Sequence, residues 1–359
     1  MALTDDVGAH APAPPLKERL APTFERFERM LAPLGLGWLV SFARLMVGDR
    51  PLQQLQEIWH GLFVPVIAIA CFIGLWAVLA PRVVTSLGAI PGPAQVWEQT
   101  EVLWADHVAE RGKEAAYYER QEKRNAAKLA KDPNAKVKWR TYIGRPTYLD
   151  QILTSLMTVF TGFLLASLIA IPLGVLCGLS STFNAALNPI IQIFKPVSPL
   201  AWLPIVTMVV SAVYIEERAG MPKSFVTSAV TVTLCSLWPT LINTAIGVAS
   251  IDRDLVNVGR VLKLSWWTKI FKVVLPSALP YIFTGLRLSL GVGWMVLIAA
   301  EMLAQNPGLG KFVWDEFQNG SSDSLARIMV AVLTVGIIGF LLDRLMVVIQ
   351  TAFTHGPAR

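Results

Sequence analysis

Residues 252–287 read DRDLVNVGRVLKLSWWTKIFKVVLPSALPYIFTGLR, a basic amphipathic stretch held between two apolar runs. Asp252 and Asp254 stand where acids complement the positive end of a helix. Leu255, Val258, Val261, Leu262 and Leu264 recur at helical spacing and form an apolar stripe, with Arg260 and Lys263 beside it. Trp266 and Trp267 suit a water–lipid boundary, where an indole buries its ring and keeps its N–H wet. Pro276 and Pro280 are expected to fix a turn back into the apolar phase. Such a segment belongs at a membrane face. It is either an interfacial helix that anchors a loop or a knob that inserts into a groove on a cytoplasmic partner.

Composition supports the membrane. Of 359 residues, 54% are hydrophobic and 16% charged, and the mean hydropathy is +0.52. A soluble domain carries nearer a quarter charged residues. The net charge of +6 lies beside apolar runs rather than in one patch, which fits an anionic leaflet and argues against nucleic acid. Cys71, Cys177 and Cys235 fall in apolar runs without CxxC spacing and read as small buried hydrophobes.

Working outward, the chain reads as an all-α integral membrane protein of about six spans. Residues 1–59 are a cytoplasmic or interfacial region: a Pro-rich start, an amphipathic stretch over 16–31, and an uncharged run of ten, 34–43, too short to cross. No apolar region suited to a signal peptide begins near Met1. The first span falls within 60–81, and Pro91-Gly92-Pro93 follows as a rigid turn. Residues 82–148 form a charged, largely helical insertion ending near Asp132-Pro133-Asn134. It reads as a solvated helical hairpin or linker, with a partner-binding insertion the alternative. A five-helix core over 149–352 has spans near 151–178, 186–210, 224–247, 281–304 and 325–350. The second of these holds four prolines and should be kinked or partly unwound.

Loop charge sets the orientation. The 250–280 loop carries five Lys and Arg against two Asp, whereas the loop after the fifth span is mainly acidic. The positive-inside bias puts 250–280 and both termini in the cytoplasm, which places the insertion outside. Its Lys and Arg outnumber its acids, against that bias.

The opening stretch resembles the coupling loop of ABC importer permeases, whose signature is Glu-Ala-Ala, three residues, Gly, nine residues, an aliphatic, one residue and Leu-Pro. Anchored on Leu275-Pro276, Val273 takes the aliphatic position, Lys263 the Gly position and Asn257-Val258-Gly259 the Glu-Ala-Ala position. Asn257 and Lys263 depart from the pattern. NVGRVLKLS (257–265), LPYIFTGLR (279–287), GWMVLIAAEML (293–303) and Gly308-Leu309-Gly310 resemble the nitrate/bicarbonate/cyanate permeases of the taurine–sulfonate–nitrate family. The likeness spans about 149–350, loosely 60–97, and leaves the insertion uncovered.

The resemblance implies a type I ABC importer permease in a bacterial inner membrane. Two copies pair as a homodimer, cytoplasmic ATP-binding subunits hold ATP and magnesium, and a periplasmic solute-binding protein delivers the cargo. The chain itself carries no cofactor and no enzyme activity. Asp254, Leu255, Asn257, Val258, Gly259, Arg260, Val261, Leu262, Lys263 and Leu264 are the implied coupling residues, with Val258, Arg260 and Leu262 making the contact. The implied cargo is a small anion, nitrate first, with bicarbonate, cyanate or a sulfonate such as taurine as alternatives. Gly112-Lys113 and Gly310-Lys311 lack the rest of a phosphate-binding loop.

Charge within spans marks pathway candidates. Arg287 and Glu301 sit at opposite ends of the fifth span. Arg287 offers an anion a favourable potential, or pairs with a headgroup or an acid of the cytoplasmic loop. Glu301 reads as a gate, a structural hydrogen-bonding residue, or a contact for the delivery protein. Trp202, set between prolines, reads as a pathway wall, and Trp294 is a further candidate. His10, His60, His107 and His355 are scattered without ligand spacing, so no metal site or catalytic set emerges. A secondary anion transporter is the rival class, but it should show inverted repeats and several buried acids.

Overall fold

The structure, a computed structural model, describes residues 16–31, 35–85, 88–132, 136–215, 220–252, 254–255, 257, 261–321 and 323–354. Its helices are α1 (Leu16–Leu31), α2 (Gly37–Met46), α3 (Pro51–Arg82), α4 (Pro93–Lys131), α5 (Tyr148–Leu179), α6 (Ser181–Phe194), α7 (Pro199–Val213), α8 (Lys223–Ala249), α9 (Trp266–Ala304), α10 (Leu309–Asn319) and α11 (Ser324–Thr354). A two-residue hairpin pairs β1 (Val84–Thr85) antiparallel with β2 (Gly88–Ala89).

The chain forms two compact units. One comprises α1, α2, α3 as far as Leu75, and Val347–Ala352. Within it Arg44 bonds Glu28 at 2.6 Å and Ser41 donates to Glu57 at 2.5 Å. The other runs from Trp76 to Met346 and holds the helical core.

In that core α8 packs against α5 on one side and α9 on the other. Lipid gives apolar helices no hydrophobic reason to associate, so the contacts depend on small residues and hydroxyls. A Cβ added at Gly162, Gly174 or Gly178 of α5 would lie 2.7 Å from the carbonyl oxygens of Ala229, Leu241 and Ala245 in α8. Those contacts run in one direction along both helices, so α5 and α8 are parallel. Some hydroxyls on α8 are satisfied within the helix: Thr231 bonds the Thr227 carbonyl and Ser236 the Val232 carbonyl. Thr240 shares a 2.7 Å bond with Ser289 of α9.

Five helices are long and apolar enough to cross a membrane; α6 and α7 together make the sixth, bent by 101° at the break between them. Because α5 and α8 are parallel, the α6–α7 pair must carry the chain back across, so it completes the sixth crossing. The expected kinked span is therefore a broken one, as its prolines predict. At Leu275-Pro276 the expected turn is absent. α9 runs unbroken from Trp266 to Ala304, and a π-helical turn over Ile270–Val274 precedes the proline. Widening the helix there accommodates Pro276 without ending it. The span thus begins 15 residues before the 281 read from hydropathy.

The insertion is one 39-residue helix, α4, and an extended return rather than a helical hairpin. Gln121 bonds the backbone of Arg140 through both ends of its amide, at 3.2 and 2.9 Å. Asn125 donates to the Lys138 carbonyl, and the Tyr142 hydroxyl donates to Glu110 at 2.7 Å. At its base, Val96 and Leu103 pack with Phe312 of α10 and Val330 and Ala331 of α11.

Candidate functional site

The segment joining α8 to α9 lies at one end of the core, over a cluster of Val175, Val248, Val274, Ala278 and Ile282. Asp252 accepts from the backbone N–H of Asp254 at 2.9 Å and so opens a helical stretch. Asp254, Leu255, Asn257 and Val261 are helical, whereas Val258, Gly259 and Arg260 lie outside the described residues. Val261 is 80% and Leu262 64% exposed, and Leu255 and Asn257 also face outward. A cleft of about 390 Å³ is bounded by Asp254, Asn257, Val261 and Leu262. Exposed Trp266 and Trp267 pack edge to face at 4.6 Å, and Ser265 caps α9 by accepting from the Thr268 N–H.

Lys263 has φ of +45°. This is the left-handed conformation that ends helices and favours glycine. Lys263 holds the position where the resembled signature has Gly, so that glycine has a physical reason and this chain meets it with a strained lysine. Leu264, half-buried, leads out of the helix.

The opposite end is organised by Glu301, which is fully buried. Its carboxylate accepts from Ser155 Oγ of α5 at 2.8–2.9 Å, from Asn306 Nδ2 at 3.4 Å and from the Gly310 N–H at 3.0 Å. The Leu309 N–H in turn donates to Ser155 Oγ. Gly308, the N-cap of α10, offers no capping side chain, so Glu301 and Ser155 satisfy that helix's first N–H groups from a distance. A Cβ on Gly308 would overlap Glu301 Oε1, and one on Gly310 would overlap the Ile298 carbonyl. Gly308-Leu309-Gly310 is thus shaped to lie on Glu301. A second buried acid, Glu316, accepts from Ser324 Oγ at 2.9 Å and from Arg327 at 3.3 Å, and Arg327 also reaches Gln99 of α4.

The pathway candidates are not gathered at one place. Arg287 forms a two-pronged ion pair with Asp343 of α11, at 2.5 and 2.8 Å. That corrects both expected partners, a headgroup and an acid of the cytoplasmic loop. The reason is helical register: the antiparallel α11 brings Asp343 level with Arg287, where each neutralises the other in the apolar phase. Trp294 is buried and donates its indole N–H to the Val335 carbonyl at 2.9 Å, which ties α9 to α11. Trp202 lines an apolar cleft of about 410 Å³ with Ile205, Val209, Val226 and Val230, apart from the other three. Its indole N–H is buried without an acceptor among the described residues.

Ser155, Asn306 and Asp343 were missed by sequence reasoning. Asp343 could have been found by pairing Arg287 with the one acid of the sixth span. Ser155 carries no signal, being one small hydroxyl in a charge-free run.

A family model for the inner membrane component of binding-protein-dependent transport systems matches residues 170–355. The nitrate import permease protein NrtB of Leptolyngbya laminosa is 41% identical over 196 residues, 55% of this chain and 65% of that one. The NrtB of Synechocystis is 33% identical over 287 residues, 80% of this chain and 87% of its own length. The bicarbonate transport system permease protein CmpB of Synechocystis is 33% identical over 322 residues, covering 86% and 95%. A solved inward-facing MetNI methionine ABC transporter superposes with a TM-score of 0.48 at 16% identity, over 58% of this chain and 96% of that one. On the family model and on relatives matched across most of both chains, the chain belongs to the family of binding-protein-dependent transport system inner membrane components, a multi-pass membrane part of a transporter and not an enzyme.

Proposed function

We propose that the chain is the permease subunit of an ATP-driven importer of a small inorganic anion, with nitrate the first cargo and bicarbonate the second. Two copies form the translocation pathway, each docks an ATP-binding subunit through residues 252–264, and a solute-binding protein loads the pathway from the opposite side. The observation that carries this reading is the outward apolar face of Leu255, Val261 and Leu262, held at the junction of α8 and α9. An exposed helical knob of this kind suits a groove on a soluble partner. Its two covalent neighbours are the most closely packed helices of the core, so a displacement of the knob moves α8 and α9 together. Arg287–Asp343 and Trp294–Val335 couple that movement to α11.

Relatives named for nitrate and for bicarbonate support the inorganic-anion reading. Arg287 is paired with Asp343, and a cation already neutralised suits an anion that must leave as readily as it arrives. Glu301 serves as a structural anchor for α10, and Trp202 as a wall residue. The test is ATP hydrolysis by the reconstituted complex with loaded solute-binding protein, compared across nitrate, bicarbonate, cyanate and taurine. Stimulation by nitrate above the others is expected. Stimulation by taurine alone would sink the inorganic-anion reading.

A further inference from the structure

The arm built by α4 and its return carries an uneven charge that the transport cycle described above does not use. Residues 97–119 hold six acids and two Lys or Arg, a balance of −4; residues 120–145 hold nine Lys or Arg and two acids, a balance of +7. Arg124, Lys128, Lys138 and Arg140 are exposed and form no ion pair with a described residue. The helix dipole accounts for Lys128 and Lys131 in the last turn of α4 but for none of the cations on the return strand. A basic segment on the side away from the 252–265 end also runs against the usual charge bias of translocated regions.

The basic surface is tied down by side-chain hydrogen bonds. Gln121 and Asn125, both 3% exposed, hold Arg140 and Lys138 by their backbones. Tyr142 binds Glu110, and Gly144 passes so close to both side chains that a Cβ there would push them aside. The return strand presents Trp139, 64% exposed, and Ile143, 97% exposed, among these cations. Exposed Trp with Arg on a preorganised scaffold is the composition of a protein-binding hot spot.

Distance excludes a simpler role. Leu103 packs on the core, and Lys128 lies 25 residues further along the same helix, about 38 Å at 1.5 Å per residue. The Debye length in physiological salt is about 8 Å. Charges that far away do not bias a small anion at the mouth of the pathway, but they do steer a macromolecule. We propose that the distal arm, residues 120–132 and 136–145, is the docking surface for an acidic face of the solute-binding protein, an assignment that rests on the importer function proposed above.

The experiment uses the permease with its ATP-binding subunits in phosphatidylcholine vesicles, titrated with the purified solute-binding protein while ATP hydrolysis is followed. The triple variant Arg124→Glu, Lys128→Glu, Lys138→Glu should raise the half-saturating concentration of that protein by roughly tenfold at low salt, with the maximal rate unchanged. The triple Gln variant should give an intermediate shift, and Trp139→Ala a shift that salt does not alter. Wild type should weaken with added salt, and the Glu variant should not. Titration of the Glu variant identical to wild type at every salt concentration would overturn the proposal. So would a shift seen only in vesicles rich in phosphatidylglycerol, which would give the arm to the membrane surface instead. If wild type shows no stimulation by the solute-binding protein, the importer function fails and the docking role with it.

Discussion

Replacing Glu301 with Ala should unfasten α10 from the core. The carboxylate is the sole acceptor for the Gly310 N–H and binds Ser155 Oγ, while Asn306 keeps a second partner in Thr158 at 3.2 Å. Each buried donor left without an acceptor costs about 1–3 kcal/mol. With one or two donors orphaned, the loss is about 1–6 kcal/mol. At about 2 °C per kcal/mol for a large chain, Tm should fall by roughly 2–12 °C. Glu301→Gln keeps the volume and one acceptor but turns an NH₂ toward another donor, so about half that loss is expected. Gly308 supplies the internal check. Gly308→Ala places its Cβ against the carboxylate, and with φ of −116° the backbone accepts any residue, so its cost is steric and depends on Glu301. In the Glu301→Ala background most of that cost should vanish, a coupling of about 1–3 kcal/mol. The assay is thermal unfolding of the purified protein in detergent across this double-mutant cycle. A Glu301→Ala protein with wild-type Tm, or Gly308→Ala equally harmful in both backgrounds, would refute the reasoning.

Other expectations follow from the same contacts. Lys263→Gly relieves a left-handed lysine and should stabilise the 252–265 segment by about 1 kcal/mol; slower hydrogen exchange there would support this and faster exchange would contradict it. Leu262→Asp places a charge on an apolar knob and should abolish co-purification of the ATP-binding subunits without lowering Tm. Arg287→Ala leaves Asp343 unpaired within a span and should destabilise more than Arg287→Ala with Asp343→Ala together; equal losses would mean that an unpaired Asp343 carries no penalty there. Tyr142, and then Lys113, hold the Glu110 carboxyl below the usual carboxylate range, while Glu110 pushes the Tyr142 phenol up. The depressed carboxyl contributes stability that is present above its unfolded value and lost as pH falls through its folded one. The raised phenol contributes stability that is lost as pH rises through its folded value. Hydrogen exchange of residues 136–146, corrected for its intrinsic pH dependence, should therefore be slowest near neutral pH. Tyr142→Phe should weaken the acid limb, leaving the part that Lys113 sustains.

Much of the fold was legible in the sequence because lipid imposes simple rules. Apolar runs of span length with little or no charge marked α3, α5, α8, α9 and α11, and four prolines foretold the break between α6 and α7. The apolar stripe of Leu255, Val261 and Leu262 was equally visible, since an exposed knob and a buried one share the same periodicity, and its basic flanks favoured a surface. What failed was anything set by register between distant helices. Proline at 276 suggested a turn, yet a π-helical stretch absorbed it. Arg287 was matched to the wrong partner because its acid lies 56 residues away, on a helix whose depth alignment no local pattern records. Glu301 was recognisable as important through its cost in a membrane. Its partners were not, because a serine in α5 and two backbone N–H groups carry no charge to count. The return strand of the arm was missed for a related reason: Gln121 and Asn125 look solvated in sequence and become buried only when the strand folds back on them.

If ATP acts at the 252–265 end and the anion is delivered at the Glu301 end, as proposed, the two must be supplied from opposite sides of the membrane. Vesicles containing the permease and its ATP-binding subunits in one orientation allow the two ligands to be applied separately. With ATP on the side of residues 252–265 and nitrate-loaded solute-binding protein on the other, labelled nitrate should accumulate on the ATP side, and Leu262→Asp should abolish it. Accumulation that persists without ATP, or with ATP and binding protein on the same side, would contradict the account.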